Sequence, residues 1–208
     1  MPLIDLANNH PRCQPLDGKH AENGEFTLSI YKGTAAEGSD ECYVRYGYYD
    51  AHDTFLYYNY STPDAIFTRS IPIDIELAGA GKLEVHAISS IIDRDNLLPE
   101  SQDLQPYFPP VRPANNRETL AVGFLPMPRS ESPFALRRIL ASLIYTLSPD
   151  MDQKEINNLV EITEKRVITE NLSYYDELGR FLEEYKPKAG QELVVNIARL
   201  SLVHISEP

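Results

Sequence analysis

The spacing of apolar and polar positions divides the chain into a strand-like first half and a helix-like second half. In the first half apolar residues recur at every second position, as in half-buried strands. The clearest case is 70–77, where Ile71, Ile73, Ile75 and Leu77 share one face. The segment 82–88 alternates in the same way, and the AGAG at 78–81 predicts a hairpin turn between the two. Further strands are predicted over 26–32, 42–46 and 119–125.

In the second half apolar residues recur every three or four positions, which is the period of an amphipathic helix. The predicted helices cover 133–147, 152–167, 173–185 and 191–205. Pro133 suits the first turn of the first helix. Asp152 and Ser173 are the predicted N-caps of the second and third, and Glu155 completes a capping box with Asp152.

A proline-rich segment without any period, 99–116, lies between the two halves and predicts a linker or an irregular surface loop. Strands followed by helices predict an α+β fold. We therefore expect a β-rich domain over 1–110 and a mostly helical, four-helix domain over 111–208.

Charge narrows the range of partners. The 208 residues carry a net charge of −12, and residues 1–110 hold 7 basic against 17 acidic side chains. Such a surface repels phosphate backbones, so nucleic-acid binding is not expected. A basic partner is one interpretation of the charge, and plain solubility is the other.

Composition also indicates the compartment and argues against a metal site. No apolar run is long enough to cross a bilayer, and the first residues lack the features of a signal peptide, so a cytoplasmic protein is predicted. Cys13 and Cys42 form no metal motif, and reduced thiols are favoured over a disulfide. No histidine pair has the spacing of a helical zinc site, so no metal is expected.

The most unusual stretch is 43–60, which holds seven of the thirteen tyrosines. Together with PLIDLANNHP at 2–11, it resembles the C-terminal part of a SET-domain protein-lysine methyltransferase, in the branch typified by the plant Rubisco large-subunit lysine methyltransferase. That branch has a P-x-x-D-x-x-N-H segment, then a strand that ends in Tyr-Gly, and a short helix that closes on Tyr-Gly-Phe. The matching positions here are Pro2, Asp5, Asn8, Tyr46, Gly47 and the run Tyr58, Asn59, Tyr60.

The resemblance implies a function and a set of site residues. It implies transfer of a methyl group from S-adenosylmethionine to a lysine amine, with Tyr46 as the catalytic residue. It assigns cofactor contacts to Asn8, Asn9, His10 and Tyr58, and it makes the helices after residue 133 similar to a substrate-binding domain. A tyrosine hydroxyl suits this chemistry because it orients the amine and places an oxygen dipole near the positive methyl group.

Two departures from the family pattern leave alternatives open. Asn8 and Asn9 stand where the family has Asn-His, so either the histidine is lost or a slip of one residue brings Asn9 and His10 into register. Tyr58, Asn59 and Tyr60 replace Tyr-Gly-Phe, and asparagine tolerates the left-handed backbone that such a turn requires.

The resemblance also implies that the family's glycine-rich cofactor cradle precedes the first motif, which here begins at Pro2. We accordingly expect the isolated chain to bind S-adenosylmethionine weakly and to be inactive. Open sheet edges then favour a homodimer, or a complex with a separate N-terminal half, through the first ~60 positions. The rival hypotheses are a non-catalytic SET relative that acts as a protein-binding or oligomerising module, and an unrelated acidic α+β domain.

Overall fold

The computed structural model describes the following parts of the chain. These are residues 8–9, 17–20, 26–29, 43–46, 49–58, 65, 67–87, 107–114, 118–128, 134–192 and 195. Within these ranges no helix combines the length and apolarity that a membrane crossing requires. The chain packs into two compact units, Met1–Ile66 and Phe67–Pro208.

The described residues of the first unit form two small strand pairs and one helix. Strand β1 (Asn8–Asn9) pairs in parallel with β4 (Tyr43–Val44), and β2 (Asp17–His20) pairs antiparallel with β3 (Phe26–Ser29). Helix α1 (Ala51–Tyr58) follows β4 after a short connection. The predicted strands at 26–32 and 42–46 are thus confirmed as the shorter β3 and β4, whereas β1 and β2 carry no alternation of apolar residues and were missed.

The second unit is built on a four-stranded sheet with the order β6-β7-β9-β8. Its strands are β6 (Ile73–Leu77), β7 (Gly81–Val85), β8 (Val111–Pro113) and β9 (Thr119–Val122). A separate antiparallel ribbon joins β5 (Phe67–Arg69) to β10 (Pro126–Pro128). The predicted alternation in β6 is confirmed, since Ile73, Ile75 and Leu77 are buried while Asp74 and Glu76 are exposed.

The hairpin between β6 and β7 depends on glycine. Gly79 and Gly81 both have positive φ, at 76° and 121°, which L side chains rarely adopt. A Cβ atom on Gly81 would also collide with the carbonyl oxygen of Glu118, the residue just before β9. The predicted turn at 78–81 is confirmed, and the glycine serves both the turn and the close approach of the neighbouring strand.

Two helices complete the described part of the second unit. Helix α2 (Ala135–Leu147) packs on β9, β10 and helix α3 (Gln153–Glu184), and α3 also packs on β6. Leu136, Ile139, Leu140 and Leu143 of α2 are almost fully buried and form the centre of the core. As predicted, the Asp152 side chain caps α3 by accepting a hydrogen bond from the N–H of Lys154 at 2.8 Å.

The α+β class is confirmed, but the four-helix prediction is not. The predicted helices over 152–167 and 173–185 are one continuous helix, α3, and Ser173 lies inside it instead of capping a new one. The reason is that 168–172 contains neither glycine nor proline, and Asn171 in it is fully buried, so the inward face continues without a break. The described residues form three helices, two of them after residue 110, and most of the predicted helix over 191–205 lies outside these residues, as does Pro133.

The proline-rich segment 99–116, which was predicted to be a linker or an irregular loop, contains one strand. Val111–Pro113 is a strand, β8, at the edge of the four-stranded sheet. An edge strand tolerates Pro113 because the missing N–H would face away from the ladder. The contact-based division between Ile66 and Phe67 falls inside the segment 1–110 that the sequence assigns to one domain. The predicted domains over 1–110 and 111–208 stay a prediction.

Candidate functional site

The backbone of the first unit brings the two segments of the resemblance together. In the parallel pair of β1 and β4, Asn8 lies opposite Tyr43 and Asn9 lies opposite Val44. Val44 is buried at 1% exposure and anchors the pair, while Asn8 is exposed. The chain then passes through Arg45 to a half-buried Tyr46. Two segments that are more than thirty positions apart in sequence thus lie side by side at the start of the tyrosine-rich stretch.

A buried polar cap fixes the start of helix α1. The Asp50 Oδ1 atom accepts a hydrogen bond from the N–H of Asp53 at 2.8 Å, and the N–H of Thr54 donates to the Asp50 carbonyl oxygen at 3.0 Å. All three side chains are at most 2% exposed. Aspartate is a preferred N-cap because its short side chain reaches the free N–H groups of the first turn. The cap sets the direction of the helix that carries Tyr57 and Tyr58 at its other end.

Four tyrosine rings meet around the end of this helix. The ring centroids of Tyr46 and Tyr58 are 4.9 Å apart, with an interplanar angle of 54°. Tyr49 lies 5.6 Å from Tyr57 and 5.8 Å from Tyr58, and Tyr57 and Tyr58 are 6.4 Å apart. All four pairs are tilted or edge-on, which is the favourable arrangement for aromatic rings. We call Tyr46, Tyr49, Tyr57 and Tyr58 the tyrosine cluster, and Tyr58 touches each of the other three.

The cluster holds at least one of its phenols in the neutral form. Burial raises the pKa of Tyr49 to about 12, and its hydrogen bond with Tyr58 and the nearby Tyr57 and Asp53 act in the same direction. A phenol with so high a pKa donates a hydrogen bond but does not act as a base at neutral pH. Tyr57 and Tyr58 remain 51% and 38% exposed, so the cluster presents aromatic surface to solvent.

The tyrosine cluster unites two of the residues that the sequence singles out. Tyr46 and Tyr58 are in ring contact, and the Asn8–Asn9 strand runs beside the strand that leads to Tyr46. His10 lies outside the described residues, as do Gly47, Asn59 and Tyr60. The structure adds Tyr49, Asp50 and Asp53, to which the sequence assigned no role. The sequence signal for this group was Asp50, an aspartate directly before the helical segment, which is typical of an N-cap.

The chemistry open to this arrangement is that of aromatic faces and hydroxyl groups. Among the residues that the structure describes, no group of three or more histidine, cysteine or acidic side chains is placed to hold a metal ion. Tyrosine faces attract cations, and tyrosine hydroxyls orient polar groups. Comparison with known protein families, with characterised proteins and with solved structures finds no match for this chain.

Proposed function

We propose that the chain is a SET-family protein, the C-terminal part of an S-adenosylmethionine-dependent protein-lysine methyltransferase of the Rubisco large-subunit methyltransferase-like branch. The observation that supports the proposal most is the contact between Tyr46 and Tyr58 at 4.9 Å, beside the strand that contains Asn8 and Asn9. Those residues come from the two segments that carry the resemblance. They would be under no requirement to meet if the two motif matches were accidental.

The proposed reaction is a displacement at the methyl carbon of S-adenosylmethionine. The lysine ammonium would first lose one proton to solvent. Its neutral nitrogen would then bond to the methyl carbon as the sulfur–carbon bond breaks, giving a methylated ammonium and S-adenosylhomocysteine. In this scheme the hydroxyl of Tyr46 accepts a hydrogen bond from the amine and aligns its lone pair with the methyl group. Tyr58 and Asn8 would contact the cofactor, together with Asn9 or His10 according to the register.

The electrostatics of the tyrosine cluster suit both reactants. Lysine substrates arrive as cations and the cofactor carries a sulfonium charge, and the faces of tyrosine rings attract such groups. The pKa of Tyr49 is raised to about 12, so this phenol is neutral at pH 7 and adds no negative charge beside the substrate. Tyr49 in this scheme is a positioning residue, which holds Tyr58 by a hydrogen bond.

An NMR titration with S-adenosylhomocysteine tests the cofactor site even if the affinity is weak. Ligand concentrations of up to about 5 mM allow detection of a complex with a Kd of about 1 mM, which corresponds to a binding free energy of only about −4 kcal/mol. With ring-labelled tyrosines, we expect shifts at Tyr46 and Tyr58 and none at Tyr145, an exposed tyrosine of α2. A titration that leaves the tyrosine cluster unchanged, or that shifts Tyr145 equally, contradicts a cofactor site here.

Tyr46→Phe separates a catalytic role from a structural one. Loss of one hydroxyl from a half-buried tyrosine should lower the free energy of unfolding by about 1 kcal/mol or less. We expect the variant still to bind S-adenosylhomocysteine but to lose methyl transfer to lysine peptides. The transfer is measured with radiolabelled cofactor, in a preparation in which the unchanged protein is active. A variant that transfers methyl groups as well as the unchanged protein removes Tyr46 from the mechanism.

The exposure of Tyr57 favours a second candidate, a non-catalytic module that binds a protein or a second copy of itself. Tyr57 is 51% exposed, and tyrosine is enriched in interfaces because it joins a large apolar ring to a polar tip. Light scattering after size exclusion tests this role, with Tyr57→Glu as the variant and Tyr145→Glu as the matched control. A dimer that only Tyr57→Glu dissociates, together with no cofactor binding, supports the module over the enzyme.

A further inference from the structure

Helix α3 extends well beyond the helix that packs against it. It has 32 residues against 13 in α2, which at 1.5 Å per residue gives lengths of about 48 Å and about 20 Å. The ion pair between Arg137 and Glu164, with the Arg137 Nε atom 2.8 Å from the carboxylate, shows that α2 lies along the first part of α3. After Asn171, Leu182 is the one residue of α3 that is buried.

The inward stripe of α3 nevertheless continues to the end of the helix. Tyr174, Leu178, Phe181 and Tyr185 follow at alternating intervals of three and four, in line with the buried residues of the first part. Tyr174 and Phe181 are 48% and 57% exposed, while Leu178 and Tyr185 are half-buried. The rings of Phe181 and Tyr185 lie 5.4 Å apart and form one apolar ridge. We call these four residues the α3 ridge.

Acidic residues line one side of the α3 ridge at heptad spacing. Glu170, Glu177 and Glu184 are seven residues apart and precede Asn171, Leu178 and Tyr185, so they occupy the g positions of a coiled-coil pattern. Glu177 and Glu184 are exposed, and Glu170 pairs with Arg166 at 2.7 Å. The opposite flank carries Tyr175 and Leu182 and no basic residue.

This pattern argues against a second copy of the chain as the occupant. In a parallel pair of identical helices, each g position faces an e position of the other, and glutamates would meet Tyr175 and Leu182 without forming ion pairs. In an antiparallel pair, g faces g, and glutamates would repel one another. A helix with an apolar stripe and basic residues beside it would be complementary to both the α3 ridge and the glutamates along its side.

We propose that the α3 ridge binds an amphipathic helix of a partner protein, one that carries Lys or Arg beside an apolar stripe. Apolar anchors of the partner lie against Tyr174 and Phe181, and its basic residues pair with Glu177 and Glu184. The charges set the orientation and select against acidic helices. This inference concerns the second unit alone and does not rest on the proposed methyl transfer.

The test uses the full chain and two synthetic peptides of about three heptads with leucine at the a and d positions. One peptide carries lysine at e and g, and the other carries glutamate. By fluorescence anisotropy we expect the lysine peptide to bind at least about tenfold more tightly than the glutamate peptide. Phe181→Ser should weaken binding of the lysine peptide by about tenfold or more, because it removes an exposed anchor.

Two further variants make the result specific. Ile162→Ser is the matched control, since Ile162 is 58% exposed on the same helix but lies off the ridge, and binding should not change. The double variant with Glu177→Lys and Glu184→Lys should reverse the preference between the two peptides. The proposal is overturned if the two peptides bind equally well or if the full chain binds neither of them. It is also overturned if the Phe181→Ser chain binds the lysine peptide as tightly as the unchanged chain does. If the chain forms a dimer and Phe181→Ser dissociates that dimer, the occupant of the α3 ridge is a second copy of the chain and the proposal is overturned.

Discussion

Asn171 provides the sharpest test of how the helices are fixed to the sheet. Its side chain is fully buried in α3, and its Oδ1 atom accepts a hydrogen bond from the N–H of Ile71 at 2.8 Å. The Nδ2 group donates to the carbonyl oxygen of Val167, one turn earlier, also at 2.8 Å. One amide thus joins the middle of the helix to the residue two positions before β6. We predict that Asn171→Ala destabilises the second unit.

The magnitude follows from what each contact loses. The N–H of Ile71, whose hydrogen bond to Asn171 is part-buried, costs about 2 kcal/mol when it loses its acceptor. The lost bond to Val167 costs less, about 0.5 kcal/mol, because a carbonyl in a helix interior keeps its backbone partner. Alanine returns about 0.5 kcal/mol through its higher helix propensity. The free energy of unfolding should therefore fall by about 2 kcal/mol.

Urea unfolding followed by circular dichroism measures this difference, and Asn158→Ala is the matched control. Asn158 is an exposed asparagine of the same helix, so its replacement changes helix propensity and little else, and should stabilise by about 0.5 kcal/mol. Hydrogen exchange adds a local measurement, since the Ile71 amide should exchange faster only in Asn171→Ala. If both variants unfold at the same urea concentration, Asn171 does not fix the helix to the sheet.

Two further predictions concern the hairpin and the tyrosine cluster. Gly81→Ala should lower the free energy of unfolding by more than about 2 kcal/mol, because φ is 121° and the new Cβ meets the Glu118 carbonyl oxygen. Gly190→Ala is the matched control, and it should cost only about 1 kcal/mol because φ is 88° but the space around the new Cβ is open. Equal losses of stability in thermal melts of the two variants would contradict this reasoning. Because folding raises the pKa of Tyr49 from 10.0 to about 12, its stabilising contribution is complete below pH 10 and lost as the pH rises towards 12. Alkaline absorbance titration should therefore show one late phenol that Tyr49→Phe removes, and a variant that still shows it refutes the assignment.

Local patterns in the sequence predicted the parts of the fold that local physics determines. The alternation in β6, the glycine turn after it and the Asp152 cap each depend on a few neighbouring residues, and all three are found. Strands β5 and β10 have only three residues each, and β10 reads Pro-Met-Pro. Such segments have no period to detect, and they become strands only because each meets the other across the fold.

The candidate site shows the same division between local and long-range information. The cap at Asp50 and the helical spacing of Thr54 and Tyr58 can be read from the chain itself. The ring contact between Tyr46 and Tyr58 and the parallel pairing of β1 with β4 cannot, since they join residues whose separation carries no periodic signal. The resemblance assigned Asn8, Tyr46 and Tyr58 to one site but predicted neither contact, and the chemical roles of these residues stay a prediction.

Helix α3 shows why a correct periodicity still leaves the surface of a protein undetermined. Ile156, Val160, Val167 and the α3 ridge follow one unbroken stripe, so the sequence assigns both parts of the helix the same inward face. Burial separates them, because α2 ends after 13 residues and covers only the first part. Tyr174 and Phe181 of the α3 ridge are exposed, so this part of the stripe can contact another molecule, and acidic residues at every seventh position limit which molecule that is. The extent of the neighbouring helix, and not the stripe of α3 itself, therefore decides which part of the stripe is core and which part is the surface proposed for recognition.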